Sequence, residues 1–405
     1  MSGLLLQQHW MVSTLAATGC WALSDVCCDC CIATTKEPQD DDDDFEDDAE
    51  DPVFNTTTTP REEKGVLLTP EQNAMISAWV SGVASVSLAF TLGGAEATGG
   101  SRRDAGIAVF AGAVHFVAYA VELRAYRTAS STVITPLLQL SAVWMTVLRA
   151  TLPLVASALP RPTAVARAGV KVSLGVPRRQ VDADLDALYV ATAAMRPEHF
   201  AAVFFVFVGG FLPAARGKIS RFADSAFYKQ EAVQCCLVGE LLVCVYNALL
   251  HMCTFRQAFS RAASSSSREA SFQVDASRQD VLRFFLMSRL GTFVAMVVAL
   301  SGGVDGFSRR DIRDLFRRCD RCSLAVAVAG EVLSVAGVCI VMFSYAAFHE
   351  PAVVNAAEGG VQQLLNLCFA IALRSCVGFG RRVDDRRTKL LSFALVSAGL
   401  ALSCR

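Results

Sequence analysis

The sequence of 405 residues is poor in the side chains from which enzymes build catalytic sites. It has only 5 histidines, and two of them, His115 and His251, stand alone in apolar segments. No Ser/His/Asp grouping, HExxH, GxGxxG or P-loop motif occurs. The 15 cysteines are not spaced as a disulfide framework, and the run at Cys27–Cys31 lacks a nearby histidine to complete a zinc site. We therefore predict no enzyme, no bound metal and no cofactor.

Charged residues are missing from long stretches of the chain. Ten apolar segments hold 203 residues but only 8 of the 75 Asp, Glu, Lys and Arg residues. They are 10–32, 72–94, 105–123, 132–153, 199–214, 232–253, 284–303, 323–345, 353–373 and 390–403. A helix crosses a hydrocarbon core of ~30 Å with ~20 apolar residues. We predict an all-α, multi-pass integral membrane protein of ten transmembrane helices, in a plasma membrane or an endomembrane, with the lipid bilayer as partner.

The charge that is present lies in the loops. Asp40–Asp51 has ten acids in twelve residues, a composition that predicts a solvated loop without a core. Asn55 begins an Asn-Thr-Thr sequon in the same loop, so it is a candidate glycosylation site that would place the loop outside or in a lumen. Arginine is equally frequent in loops of both sides, so the positive-inside rule does not decide the orientation. Arginines confined to short loops do not indicate a nucleic-acid partner.

The apolar segments form two sets of five that resemble each other. Residues 125–139 can be laid on residues 344–358 without a gap, and this register pairs Tyr126 with Tyr345. An odd number of helices in each copy inverts the second copy in the membrane, which is typical of secondary transporters. We predict two inverted five-helix repeats.

These repeats define two predicted domains. Residues 1–215 form the first repeat, which includes the acidic loop 33–66 and an inserted loop at 160–198. Residues 216–405 form the second.

Ionisable residues inside apolar segments are costly, so they usually face a cavity or another helix. Asp25, Glu240 and Glu358 are such acids, as is Glu331, and Arg149 and Arg289 are such bases. They predict a cation or proton site, ion pairs that break and re-form, or static pairs between helices. Around them we predict a substrate site, whose candidate residues are Asp25, Tyr126, Gln139, Glu240, Tyr345, Glu358, Gln362 and Asn366. Gln362 and Asn366 share one helix face with Glu358.

Several of these stretches resemble the drug/metabolite transporter superfamily, and within it the EamA-like integral membrane proteins. The resemblance lies in Trp21–Asp25, in Tyr126–Pro136, in Gly239-Glu240, in Ala352–Gly360 and in the final segment from Lys389. It implies a carrier with a central cavity lined by both repeats. Members of the family move nucleotide sugars, sugar phosphates, amino acids and other metabolites.

The predicted function is secondary transport of a small-molecule solute by alternating access, with an anionic metabolite such as a nucleotide sugar or sugar phosphate as one candidate. The alternative is a membrane sensor or scaffold with the same fold and no transport. A polar tunnel between the repeats would favour the first hypothesis, and a collapsed apolar interior would favour the second. The sequence decides neither the coupling ion nor the oligomeric state.

Overall fold

A computed structural model describes residues 2–32, 68–91, 102–140, 143–144, 197–264, 278–304, 306–347, 351–377 and 385–403. Within these ranges the regular structure is helical, and an isolated bridge joins Ile32 to Leu68. The eleven α-helices of the described ranges are α1 Ser2–Cys31, α2 Pro70–Thr91, α3 Arg102–Ala125, α4 Ser131–Leu137, α5 Pro197–Phe211, α6 Glu231–Ser264, α7 Arg278–Gly302, α8 Arg309–Arg318, α9 Arg321–Ala347, α10 Pro351–Val377 and α11 Arg386–Ser403.

Five of these helices are long and apolar enough to cross a membrane. The spans are Pro70–Phe90 in α2, Arg102–Ala125 in α3, Glu231–Leu250 in α6, Val281–Gly302 in α7 and Arg321–Met342 in α9. Shorter apolar helices occupy Ser131–Leu140, Ala201–Phe211 and Val361–Cys376. Valine and phenylalanine side chains remain exposed on the outside of the bundle, for example Phe90 at 83% and Val298 at 63%. An outer surface of this kind suits a hydrocarbon solvent.

The helices pack in pairs that bring together the two halves of the chain. The most extensive contacts join α1 to α9 and α3 to α6, and further pairs join α5 to α11, α3 to α7, α1 to α10 and α2 to α7, each with one helix from either half of the chain. The core therefore lies between the two halves.

Glycine allows the closest of these crossings. A Cβ at Gly112 of α3 would overlap the backbone carbonyl of Ser288 on α7, and a Cβ at Gly291 of α7 would overlap the carbonyl of Val109 on α3. Only residues without a side chain let two backbones approach this closely. The α3–α7 crossing is therefore fixed by backbone contact.

The α5–α11 pair has a similar contact at both ends. A Cβ at Gly209 would lie 3.0 Å from the carbonyl oxygen of Ser392, and one at Gly399 would lie 2.7 Å from that of Ala202. The hydroxyl of Ser392 also donates a 2.6 Å hydrogen bond to the carbonyl oxygen of Gly209. The two helices consequently run antiparallel in tight contact.

Candidate functional site

The carboxylate of Asp25, on α1, is the centre of a polar cluster between the halves. Its Oδ1 accepts a 3.2 Å hydrogen bond from the Tyr126 hydroxyl. Its Oδ2 accepts from the Thr135 hydroxyl at 3.1 Å, from Gln362 Nε2 at 2.9 Å and from Asn366 Nδ2 at 3.4 Å. Tyr126 follows α3 and Thr135 lies on α4, whereas Gln362 and Asn366 lie on α10. One carboxylate thus joins donors from both halves of the chain.

Helical spacing explains how α1 and α4 pair. Asp25 and Asp29 are four residues apart on α1, as Ser131 and Thr135 are on α4, so each pair lies on one helix face. Thr135 donates to Asp25, and the Ser131 hydroxyl donates to Asp29 Oδ2 at 3.2 Å. These two hydrogen bonds fix the register of α4 against α1.

Asn366 and Gln139 extend the cluster. Asn366 Nδ2 also donates a 2.9 Å hydrogen bond to the Thr135 hydroxyl, so it bridges two members of the cluster. Gln139, one turn after Thr135, is buried and lies against Gly359 of α10, where its side-chain oxygen fills the space that a Cβ would take. Gly359 therefore allows the amide of Gln139 to reach α10.

Asp25 differs from its donors in accessibility. Thr135, Asn366 and Tyr126 are 0%, 1% and 3% exposed, whereas part of the surface of Asp25 stays accessible. A carboxylate surrounded by neutral donors from two halves of the chain can release those donors to a solute or bind a cation in their place. Asp25 is therefore the group in this cluster best placed to meet a ligand.

A narrow pocket adjoins the cluster between α4, α10 and α11. Its lining residues are Thr132, Thr135, Pro136, Gln363, Asn366, Leu367 and Lys389. The space in it amounts to about 10 Å³ for the centre of a water molecule, which is room for about one water. Both amide atoms of Gln363 are buried there without a hydrogen-bond partner among the described residues. The pocket therefore offers an unused amide beside the Asp25 cluster.

A second buried carboxylate, Glu331 on α9, lies in a separate cluster with α2 and α3. Its Oε1 accepts a 2.6 Å hydrogen bond from the Tyr119 hydroxyl and a 3.2 Å hydrogen bond from Asn73 Nδ2. Glu331 and Asn73 are both 0% exposed. The Arg289 guanidinium on α7 is 1% exposed, donates to the Tyr246 hydroxyl at 3.4 Å and lies 5.6 Å from the ring centre of Phe285.

Arg289 and Glu331 are close enough for their charges to attract, but no ion pair within 4 Å joins these two described side chains. Aromatic rings fill the space around them: His115 lies 5.0 Å from Tyr246 and 6.4 Å from Tyr119, measured between ring centres. The packed rings leave this cluster without the accessibility of Asp25.

The structure brings five of the eight predicted site residues together, namely Asp25, Tyr126, Gln139, Gln362 and Asn366. Glu358 and Glu240 are buried, at 6% and 4% exposure, but neither is hydrogen-bonded to Asp25. Glu240 lies on α6, where the neighbouring Gly239 packs against the side chain of Glu122 on α3.

The other predicted residues are not described at the side-chain level. Tyr345 lies in α9, but its side chain is outside the described part of the chain, as are Arg149, Asn55, the loop 33–66 and residues 160–196 of the predicted loop 160–198, whose last two residues begin α5. Binding by any predicted residue stays a prediction.

Several residues of the two clusters escaped the sequence analysis. Ser131 and Thr135 carried a usable signal, since their spacing matches that of Asp25 and Asp29. Tyr119 and Asn73 carried none, because a single tyrosine or asparagine in an apolar helix has no distinctive pattern. Tyr119 and Asn73 become recognisable only when the helices are placed side by side.

The chain matches no family model, and it matches none of the curated proteins. The family resemblance therefore stays a prediction, and the case for a function depends on the geometry of the Asp25 cluster.

Proposed function

We propose that this protein is a secondary carrier that moves a small polar solute across a membrane by alternating access. In this proposal ten helices cross the membrane as two inverted five-helix repeats. The helix pairs support it, because the most extensive contacts each join a helix of the first half to a helix of the second. Inverted repeats of this kind place a solute site at their interface.

The observation that carries the proposal is the set of donors around Asp25. Tyr126 and Thr135 come from the first half, and Gln362 and Asn366 come from the second. A change in the angle between the halves stretches these hydrogen bonds, and a solute with donor groups can replace them. The same carboxylate can therefore bind the solute and, because its hydrogen bonds to both halves are then replaced, change how the two halves are held together.

The buried charge favours a solute that is cationic or rich in hydrogen-bond donors. Among the residues whose burial is described, the buried acids are Asp29, Glu122, Glu240, Glu331 and Glu358, whereas the buried base is Arg289. Asp25 adds a further acid at the accessible cluster. An interior with more buried acids than buried bases binds protons or cations in preference to anions. We therefore favour an amine-bearing or polyhydroxylated solute over the nucleotide sugar or sugar phosphate that the family resemblance suggested.

The sensor or scaffold hypothesis has a weaker basis. The narrow pocket is compatible with a protein that does not transport, but it is equally compatible with an occluded state of a carrier. A scaffold gains nothing from an interior carboxylate whose donors come from both halves, or from a Gln363 amide without a partner among the described residues, since removing a charge or an unpaired amide from water costs free energy. These two groups favour the carrier.

Uptake into proteoliposomes tests the proposal. The full chain is purified in detergent, reconstituted, and offered a pool of isotope-labelled amines, amino acids, nucleosides, sugars and sugar phosphates. We expect uptake of at least one cationic or polyhydroxylated solute above the level of protein-free liposomes. Asp25→Asn should lower the initial rate at least tenfold, because it removes the charge and replaces an acceptor with a donor that faces other donors.

Glu231→Gln is the matched control, because Glu231 is an exposed acid at the start of α6. It should transport at the wild-type rate. Equal rates for Asp25→Asn and Glu231→Gln, or a folded wild-type protein that takes up nothing from the pool, would contradict the proposal. Melting temperatures of all three proteins show whether a lost rate reflects lost fold.

A further inference from the structure

Helix α8 differs from the other helices of the described chain in its high content of charged residues. Its ten residues, Arg309–Arg318, include five arginines and two aspartates, and they connect two candidate membrane spans. The helix lies outside the transport site and plays no part in the proposed carrier mechanism.

The start of α8 is firmly fixed. Ser308 and Asp311 form a reciprocal capping box, in which Ser308 accepts from the backbone of Asp311 and Asp311 accepts from the backbone of Ser308 at 2.8 Å. Gln72 Nε2 on α2 donates to the backbone oxygen of Asp311 at 3.3 Å. Leu315, only 4% exposed, packs in one apolar cluster with Leu68 and Ile76. One face of α8 is therefore attached to the bundle.

The opposite face combines cations with an aromatic ring. Arg309, Arg313 and Arg317 are exposed and follow one another at intervals of four residues, so they lie along one side of the helix. Phe316 lies beside them and is 70% exposed. Asp311 and Asp314 are both partly buried. A cationic stripe beside an exposed aromatic ring is typical of helices that lie in a membrane interface.

The chain connections fix where this face can be. Only two residues separate Arg318 from Arg321, where the α9 span begins. Consecutive Cα atoms are 3.8 Å apart, so the end of α8 lies within about 11 Å of the start of that span. The headgroup layer of a bilayer surrounds such a position. The exposed face of α8 thus has lipid headgroups within reach.

We propose that α8 is a binding site for anionic phospholipid headgroups, in which Arg309, Arg313 and Arg317 contact phosphates and Phe316 inserts among the acyl-chain ends. Guanidinium groups bind phosphate through paired hydrogen bonds, and the ring removes its apolar surface from water. The inference rests on α7 and α9 crossing the bilayer, and it does not require transport.

Fluorescence quenching by brominated lipids tests this site. Phe316→Trp is reconstituted in vesicles of phosphatidylcholine and phosphatidylglycerol, in which either lipid carries bromines near the top of its acyl chains. The signal of the wild-type protein is subtracted to remove its 4 native tryptophans. We expect brominated phosphatidylglycerol to quench Trp at position 316 several times more strongly than brominated phosphatidylcholine does at the same mole fraction.

Charge variants of the same protein identify the cause. Each arginine near an anionic surface contributes about fivefold in lipid preference. Changing Arg309, Arg313 and Arg317 to Gln should therefore abolish the preference, and changing them to Lys should keep most of it. Arg386→Gln with Arg387→Gln, which removes two exposed arginines of α11, is the control and should leave the preference intact.

The other outcomes overturn the proposal in distinguishable ways. Equal quenching by both lipids means that α8 lies in the interface without selecting a headgroup. A preference that appears only after the acids of 40–51 are changed to amides means that this acidic segment of the same chain occupies the arginines. Val298→Trp, on the outside of α7, is the reference for membrane insertion: if it is quenched and position 316 is not, α8 is outside the bilayer interface. If neither is quenched, α7 does not lie in the bilayer and the carrier proposal fails as well.

Discussion

Asp25 and Glu331 are both carboxylates inside a helical bundle, but their surroundings differ. Asp25 is partly accessible, has four neutral donors from both halves of the chain, and adjoins a pocket with an unused amide. Glu331 is 0% exposed, has a 2.6 Å hydrogen bond from Tyr119, and is enclosed by packed aromatic rings. The partly exposed residue with four neutral donors is therefore better suited to exchange its partners, and the enclosed residue to keep them. The first is suited to binding, and the second to holding α2, α3 and α9 together.

The largest expected effect tests the structural role of Glu331. Glu331→Ala removes the acceptor of two buried donors, Tyr119 and Asn73, and each unsatisfied buried donor costs about 1–3 kcal/mol. We expect the variant to lose about 3 kcal/mol of stability, measured as a lower melting temperature and a lower yield of monodisperse protein. Glu331→Gln keeps one acceptor oxygen and should lose less. A melting temperature of Glu331→Ala equal to that of the wild type would remove the distinction between the two carboxylates.

A smaller loss of stability is expected at the α3–α7 crossing, which packs α7 against α3, one of the helices held together by Glu331. A Cβ at Gly112 overlaps the backbone of Ser288, which cannot rotate away as a side chain can. Gly112→Ala should therefore cost about 2 kcal/mol, a typical value for overpacking. Gly19→Ala is the matched control on α1, because no atom lies within 4 Å of its added Cβ. Equal melting temperatures of the two variants would show that α3 and α7 can move apart at Gly112 without loss of stability.

The smallest effect on stability, about 1 kcal/mol, is expected at the Asp25 cluster. Thr135→Val keeps the side-chain shape but removes one hydrogen bond to Asp25 and the acceptor of Asn366. Asp25 keeps its donors Tyr126, Gln362 and Asn366, which limits the loss of stability. Transport should nevertheless fall several-fold, measured as the initial uptake rate in proteoliposomes, because the carboxylate loses one of its orienting donors. Thr132→Val is the control, because it makes the same substitution at a residue that lines the adjoining pocket. Its uptake rate should be closer to that of the wild type.

The positions of the helices could be predicted from hydropathy, since apolar runs are local. The predicted segments 105–123 and 323–345 lie inside α3 and α9, which extend two or three residues beyond each predicted end. The all-helical fold is confirmed for the described residues, and five helices have the length and composition of membrane spans. The number ten and the inversion of the repeats stay predictions.

Helix α8 was missed because its charge excluded it from a search for apolar runs. Its amphipathic spacing, with Ile312 and Leu315 facing the bundle, was the available signal. Gln362 and Asn366 could be assigned to one site with Asp25, but their direct hydrogen bonds to it could not be predicted, because Gln362 lies 337 residues away and no local pattern connects the two. Conversely, the shared face of Gln362 and Asn366 could be predicted, because helical spacing is local.

The long separation between Asp25 and its partners also has a consequence for biosynthesis. Asp25 emerges from the ribosome 337 residues before Gln362, which at about 5–20 residues per second is an interval of roughly 20–70 s. Helix α5 likewise lacks its partner α11 during synthesis, because Gly209 and Ser392 are 183 residues apart in the chain. During this interval Asp25 lacks the donors of α10. The nascent first half therefore needs a protected environment at the insertion machinery, and its final packing has to follow the synthesis of the last two helices.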